Sequence, residues 1–282
     1  MNDASALRTW KGELKLGFEQ RSGRTVLAQR RHAGPLYVQK VLYPEGPAVC
    51  HAIVLHPPGG LAAGDELRIE ADVGPGAHAL ISTPAATKWY KSTTAPALQS
   101  VRARLQDKAH LEWLPQENIF FRRVAATNRL VVELPETATA SGWEILALGR
   151  IASGEAWDEG YLRLETTLVR SGGPLIWTER AALTGRAGLL RSPHGLGGFR
   201  ILGTLWATGP TCLPSCAEAL APMLPFTGAL RAGVTHLPGN VLTIRALGDS
   251  LDAVRTAMIE WWTKLRPLVH NVPAKPLRLW AT

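Results

Sequence analysis

The stretch Leu67-Arg68-Ile69-Glu70-Ala71-Asp72-Val73-Gly74-Pro75-Gly76-Ala77-His78-Ala79-Leu80-Ile81-Ser82 decides the fold class. Leu67, Ile69, Ala71 and Val73 alternate with Arg68, Glu70 and Asp72, so a strand would place the apolar side chains on one face and the charges on the other. Gly74-Pro75-Gly76 then turns the chain into Ala79 and Ile81, which predicts two adjacent antiparallel strands. Working outward, the same period recurs. Val101, Ala103 and Leu105 alternate with Arg102, Arg104 and Gln106, and Leu162, Leu164, Thr166 and Leu168 with Arg163, Glu165 and Thr167. Shorter runs lie at 111–114, 131–134, 143–148 and 175–177, each bounded by turn residues. Short strands at a spacing of roughly 10 residues predict a mainly β chain built as a sandwich, a barrel or stacked sheets. Periodicity alone does not choose among these.

The pattern changes near the end. Asp249 and Ser250 offer capping oxygens, and Leu251, Val254, Met258, Trp261, Trp262 and Leu265 follow at spacings of three and four until Pro267. An amphipathic helix is predicted from Asp249 to Leu265, stopped by the proline. A shorter helix is predicted from Ser215 to Met223, and residues 267–282 read as an extended tail. The organisation is thus a β-rich body over 1–205 and a C-terminal region over 206–282 carrying two helices, packed together as one compact unit. The apolar stripe of the long helix faces its own sheet, or docks a partner if it is exposed. No internal repeat stands out.

The chain has 282 residues, a formal charge of +8 and three cysteines. Basic residues are scattered, without the aromatic-interleaved tract of a nucleic-acid binder, and the charge suits acidic partners. The residues before Trp10 lack the apolar run of a secretory signal, and the long uncharged stretch 201–217 is broken by glycine and proline, so a cytoplasmic protein without a membrane span is expected. No lysine follows a glycine, so there is no phosphate-binding P-loop, and HExxH, CxxC and GxSxG are absent. Cys212 and Cys216 read as buried packing, and His51 and His56 as structural histidines.

What remains is a set of polar residues embedded in apolar surroundings: Asp65, Lys88, Glu112, Gln116, Glu117, Arg150, Glu155 and Glu179. If buried, the carboxylates must pair with Lys88 and Arg150 or line a wet path; otherwise they are ordinary solvated charges at strand ends, and the pattern alone leaves both open. These residues fall in HPPGGLAAGD (56–65), TPAATKWYKS (83–92), LEWLPQENI (111–119) and LGRIASGE (148–155), with Glu179-Arg180 downstream. In this order and spacing the chain resembles the UreD (UreH) family of urease accessory proteins.

The resemblance implies a mostly β fold of stacked sheets with helix-like winding and two C-terminal helices. It implies a non-catalytic scaffold that binds urease apoprotein and UreF, recruits the GTPase UreG through UreF, and passes nickel through an internal polar passage with no permanently bound cofactor. By position, Asp65, Glu117, Glu155 and Glu179 would contact the metal in transit. Lys88, Gln116, Glu112 and Arg150 would supply further polar lining, and Leu251, Val254, Met258, Trp261, Trp262 and Leu265 a UreF contact. Oxygen ligands suit transient transfer because they release nickel more readily than thiolates or imidazoles. The competing reading is an enzyme whose acid and base are Lys88 and these carboxylates, gathered in one pocket.

Overall fold

The computed structural model describes residues 9–92 and 94–281. The expected lack of a leader over residues 1–8 lies outside them. In chain order the strands are β1 (Lys11–Arg21), β2 (Arg24–Ala33), β3 (Tyr37–Leu42), β4 (Val49–Leu55), β5 (Gly60–Leu61), β6 (Glu66–Val73), β7 (His78–Ser82), β8 (Thr87–Trp89), β9 (Ala97–Leu105) and β10 (His110–Leu114). They continue with β11 (Asn118–Phe120), β12 (Val124–Leu134), β13 (Thr139–Leu148), β14 (Gly160–Arg170), β15 (Leu175–Thr184), β16 (Ile201–Thr208), β17 (Phe226–Thr227), β18 (Leu230–Leu237) and β19 (Val241–Gly248). The helices are α1 (Pro214–Leu220) and α2 (Leu251–His270).

The turn at Gly74-Pro75-Gly76 does not make a hairpin. β6 lies in a seven-stranded sheet, parallel to β1 and β9, whereas β7 lies in a twelve-stranded sheet, parallel to β4 and β10. Burial gives the reason. β6 alternates between buried and accessible positions, while every residue of β7 is buried, so β7 needs cover on both faces and cannot pair beside a strand with one wet face.

The chain winds through the twelve-stranded sheet, a short corner strand and the seven-stranded sheet, then repeats. The coils are β4-β5-β6, β7-β8-β9, β10-β11-β12, and β13 through a 3₁₀ turn to β14, and their first strands begin at Val49, His78, His110 and Thr139. Those starts lie 29, 32 and 29 residues apart. The architecture is a mainly β solenoid of stacked coils with two helices near the C-terminus. A repeat therefore exists where none was expected, because the coils repeat in geometry rather than in residue identity. The four polar motifs occupy the same corner of successive coils, where Gly60, Lys88, Ile119 and Ala147 stand in lateral register. Beside them Leu61, Trp89, Phe120 and Leu148 form a buried stack, the Trp89 and Phe120 rings 5.4 Å apart. Gly149 turns the fourth corner at φ +87°, where a Cβ would fall 2.5 Å from the Glu155 carbonyl oxygen, so only glycine fits.

Antiparallel strands close both ends of the parallel stack: β2 on β1 and β3 on β4 at one end, β15 on β14 and β16, β19 and β18 beyond β13 at the other. The outer face of the seven-stranded sheet carries cross-strand charge pairs such as Lys15–Glu70 and Arg102–Glu133, which keep it wet and contribute little to stability.

Two apolar cores result, one between the sheets and one between the twelve-stranded sheet and the helices. α2 lies close against the sheet because a Cβ on Gly248 would meet Val254 at 2.5 Å. Ser250 caps it by accepting from the Ala253 amide at 3.3 Å. Pro267 does not stop α2, which runs on to His270 and ends on Asn271 in the left-handed region. Proline removes the bond to the Thr263 carbonyl. Burial of Arg266, Val269 and His270 holds the last turn in its place. The tail is likewise not simply extended, since Arg278–Ala281 form a 3₁₀ turn and Leu277 and Trp280 are buried. The boundary expected at 205/206 falls inside β16, and β17–β19 after it extend the same sheet. The shorter helix forms as expected, with Cys212 and Cys216 buried beside it as free thiols.

Candidate functional site

The inter-sheet core should be apolar wherever inward strand positions face each other, and along one line it is not. On β9, Ala97, Val101 and Ala103 point inward and so does Gln99; on β12, Ala126 and Leu130 flank Asn128. Asn128 and Gln99 are direct lateral neighbours, and Gln99 donates to Asn128 Oδ1 at 3.1 Å. Asn128 in turn donates to Glu144, which stands on the inward face of β13 with Leu146 and Leu148. Thr166 on β14 pairs laterally with Glu179 on β15, and Glu179 accepts from Arg245 Nε at 2.8 Å.

These residues line three neighbouring cavities of about 70, 20 and 70 Å³. The first is walled by His56, Gly59, Thr83–Thr87, Pro115, Gln116 and Asn118, with exposed Pro84 and Ala85 at its rim. It shares Gln99, Trp113, Pro115 and Asn118 with the second, which holds about one water-sized volume. The second shares Glu144, Glu165, Thr166 and Trp206 with the third, whose outer wall carries Glu179, 29% exposed. A row of small cavities, each with polar side chains in its wall, thus runs between the sheets from the motif corner towards the β14–β15 end.

Glu144 sets the electrostatics of this row. Burial raises its pKa to about 7 and the Glu179 carboxylate adds to the rise, against the Asn128 hydrogen bond. Among the described residues it has no cationic partner. Such a carboxyl is satisfied by a proton or by a cation entering the cavity. Glu165 beside it is paired with Arg129 and Arg180 at 3.8 and 3.4 Å.

The expected site residues separate in the structure. Only Gln116 and Glu179 line the cavity row. Asp65 uses both oxygens locally, accepting from the Trp10 amide at 2.8 Å and the Ala62 amide at 2.7 Å, so it shapes the turn and clamps the start of β1. Glu155 is held by the Arg150 guanidinium at 2.9 Å and by the amides of Arg150 and Arg122, and the Arg150 bond lowers its pKa. Glu117 is buried, and its Oε2 has no hydrogen-bond partner among the described residues. The four carboxylates expected to meet the metal do not converge, and among the described residues no group of three or more His, Cys, Asp or Glu is placed to hold an ion.

Lys88 is exposed and lines a separate cleft of about 710 Å³ with Arg150, Asp249 and Asp252, away from Asp65, Glu112 and Glu179. The Lys88 and carboxylate pocket of the enzyme reading is therefore not assembled.

Glu112 lies on the other face of the sheet, fully buried under α2. It accepts from His78 Nε2 at 2.9 Å, Trp262 Nε1 at 2.9 Å and Arg266 Nη2 at 2.9 Å. Burial alone would raise its pKa, but the His78 hydrogen bond and the Arg266 charge outweigh that and hold it well below the carboxylate range. Val254, Met258, Trp261, Trp262 and Leu265 are buried in the chain's own second core and Leu251 is half-buried against it, so the stripe expected to contact UreF is internal.

The cavity-lining residues that the sequence reading did not single out are Gln99, Asn128, Glu144, Glu165 and Thr166. For all but Glu165, which lies on the polar face of β14, the signal is a polar side chain at an inward position of a strand, as Thr166 is between Leu164 and Leu168.

The comparisons with known proteins agree with one another. The family model described as "UreD urease accessory protein" matches residues 11–281. A urease accessory protein UreD of Cupriavidus necator is 48% identical over 276 residues, covering 97% of this chain and 95% of its own. That of Polynucleobacter asymbioticus is 44% identical over 274 residues, covering 97% and 94%. That of Bordetella pertussis is 40% identical over 284 residues, covering 99% and 100%. With a match over nearly its whole length on every measure, the chain belongs to the UreD urease accessory protein family.

Proposed function

We propose that this chain is a non-catalytic maturation factor for urease, a cytoplasmic scaffold that passes nickel to the apoenzyme through the row of cavities between its sheets. The observation that carries this reading is Glu144, an interior carboxyl with a cavity on either side and no cationic partner among the described residues. A structural charge of that kind would be expected to carry a counter-ion; a charge that must accept and release a passing cation would not. The spaced oxygens of Gln99, Asn128, Glu144, Thr166 and Glu179 offer weak successive contacts rather than one tight site, as transit requires. UreF and the GTPase UreG are the partners this reading calls for, with UreG supplying the nucleotide hydrolysis for which the chain has no P-loop. Nickel is then cargo, and no resident cofactor is needed.

Glu179→Ala is expected to leave capture of UreF and urease unchanged and to lower the nickel bound per urease active site after co-expression, read by elemental analysis of purified urease. Wild-type nickel loading with this variant would remove Glu179 from the path.

A further inference from the structure

We propose that the second half of α2 and the segment after it form a proton-operated latch: proton uptake at His270 and His110 releases residues 262–281 from the solenoid while the strands beneath stay folded. His270 is buried on α2, its Nδ1 3.1 Å from His110 Nδ1 and its Nε2 2.8 Å from Ser141 Oγ. The His78 ring stacks on both, with centroids 5.0 Å from His110 and 5.3 Å from His270. At 3.1 Å the two facing Nδ1 atoms of neutral rings share one proton; one more there sets two N–H groups against each other and charges one ring, and protonating both rings adds charge repulsion at the same contact.

The surroundings offer little to offset the added charge. Facing the rings are His78 from β7, Glu112 and His110 from β10, Ser141 from β13, and Arg266 from α2 itself. Glu112 is already saturated by His78, Trp262 and Arg266. Behind Arg266 stand Glu45, in ion pair with it, and His51, 2.5 Å from Glu45. Burial first, then His78, lowers the His110 pKa to about 4, and burial holds His270 well below its ordinary value of 6.5.

The sign follows from linkage. Released imidazoles take up protons near their ordinary pKa of about 6.5 and latched ones do not, so the latch is intact above that pH and weakens as pH falls towards 4. Two protons taken up on release make the opening constant rise about 100-fold per pH unit, and one makes it rise about tenfold. His78 and His110 project to the same side as Leu80, away from the inter-sheet core, so the strand ladders do not share the penalty. Release would uncover Trp143, Trp262 and Trp280, whose rings lie 4.9 to 6.4 Å apart.

The test is hydrogen exchange of the full chain read by mass spectrometry across this pH range, corrected for intrinsic exchange. Expected are an opening constant for 262–270 that rises about 100-fold per pH unit with β9 and β12 still protected, and a slope of about tenfold in His270→Gln or His110→Gln. Equal slopes in wild type and variant, or helix and strands opening together, would overturn the proposal. If a variant does not fold, the comparison of α2 with β9 and β12 in the wild type decides.

Discussion

Arg266→Ala is expected to destabilise the protein by about 3–5 kcal/mol, the range for removing one partner of a buried ion pair. Arg266 is 1% exposed, and its guanidinium holds Glu112 through Nε and Nη2 at 2.9–3.0 Å, pairs with Glu45 and donates to the Pro273 carbonyl at 2.5 Å. Truncation leaves two carboxylates under the helix without their shared cation, and it releases the chain after α2 from its polar anchor. A fall in Tm of about 10 °C follows for a chain of this size. The pair of half-buried Arg255 with exposed Asp252 on the same helix is the control, since Arg255→Ala is expected to change stability by less than about 1 kcal/mol. Equal effects of the two substitutions in denaturant unfolding would show that burial does not set the value of the Arg266 network.

Glu144→Gln is expected to act in the opposite direction and only at higher pH. A carboxyl raised from 4.5 to about 7 on folding is protonated in the native state and ionised in the unfolded chain between those values. The folded state binds the extra proton, so stability is fully present below 4.5 and is lost as pH rises through 7. Glutamine keeps the shape and the Asn128 contact and carries no charge. The variant should match wild type near pH 4.5 and exceed it by about 2–3 kcal/mol near pH 8, an upper range because cavity water can screen the ionised form. Parallel stability curves for the two proteins from pH 4.5 to 8 would mean that Glu144 is not perturbed.

Much of this was readable in the residues, and the remainder follows a physical pattern. α2 was legible because its stripe and its Ser250 cap are local features, whereas its end was not: Pro267 argues locally for a stop, and the burial of Arg266 and His270 that overrides it comes from strands more than a hundred residues away. The strands were legible from their period, but the partner of each was not. Leu67–Val73 and Ala79–Ile81 sit a short turn apart in either a hairpin or a solenoid, and only the burial of β7 on both faces separates the two. The polar motifs fall together at one corner of the coils, but of their charged residues Asp65 and Glu155 are taken up by nearby amides and Arg150, while Gln99 and Asn128, polar side chains at inward strand positions, meet Glu144 only through the lateral register of distant strands.

The proposed passage is tested most directly by filling the smallest of the three cavities without touching any charge. Thr166 lines both the 20 Å³ cavity and the 70 Å³ cavity beyond it, and leucine there would fill that space with hydrocarbon at a position already flanked by Leu164 and Leu168. Urease co-expressed with a folded Thr166→Leu chain that still captures UreF and urease should contain at least about tenfold less nickel per active site, equivalent to ~1.4 kcal/mol on the transfer barrier. Full nickel loading with that chain would mean that the metal does not travel between the sheets.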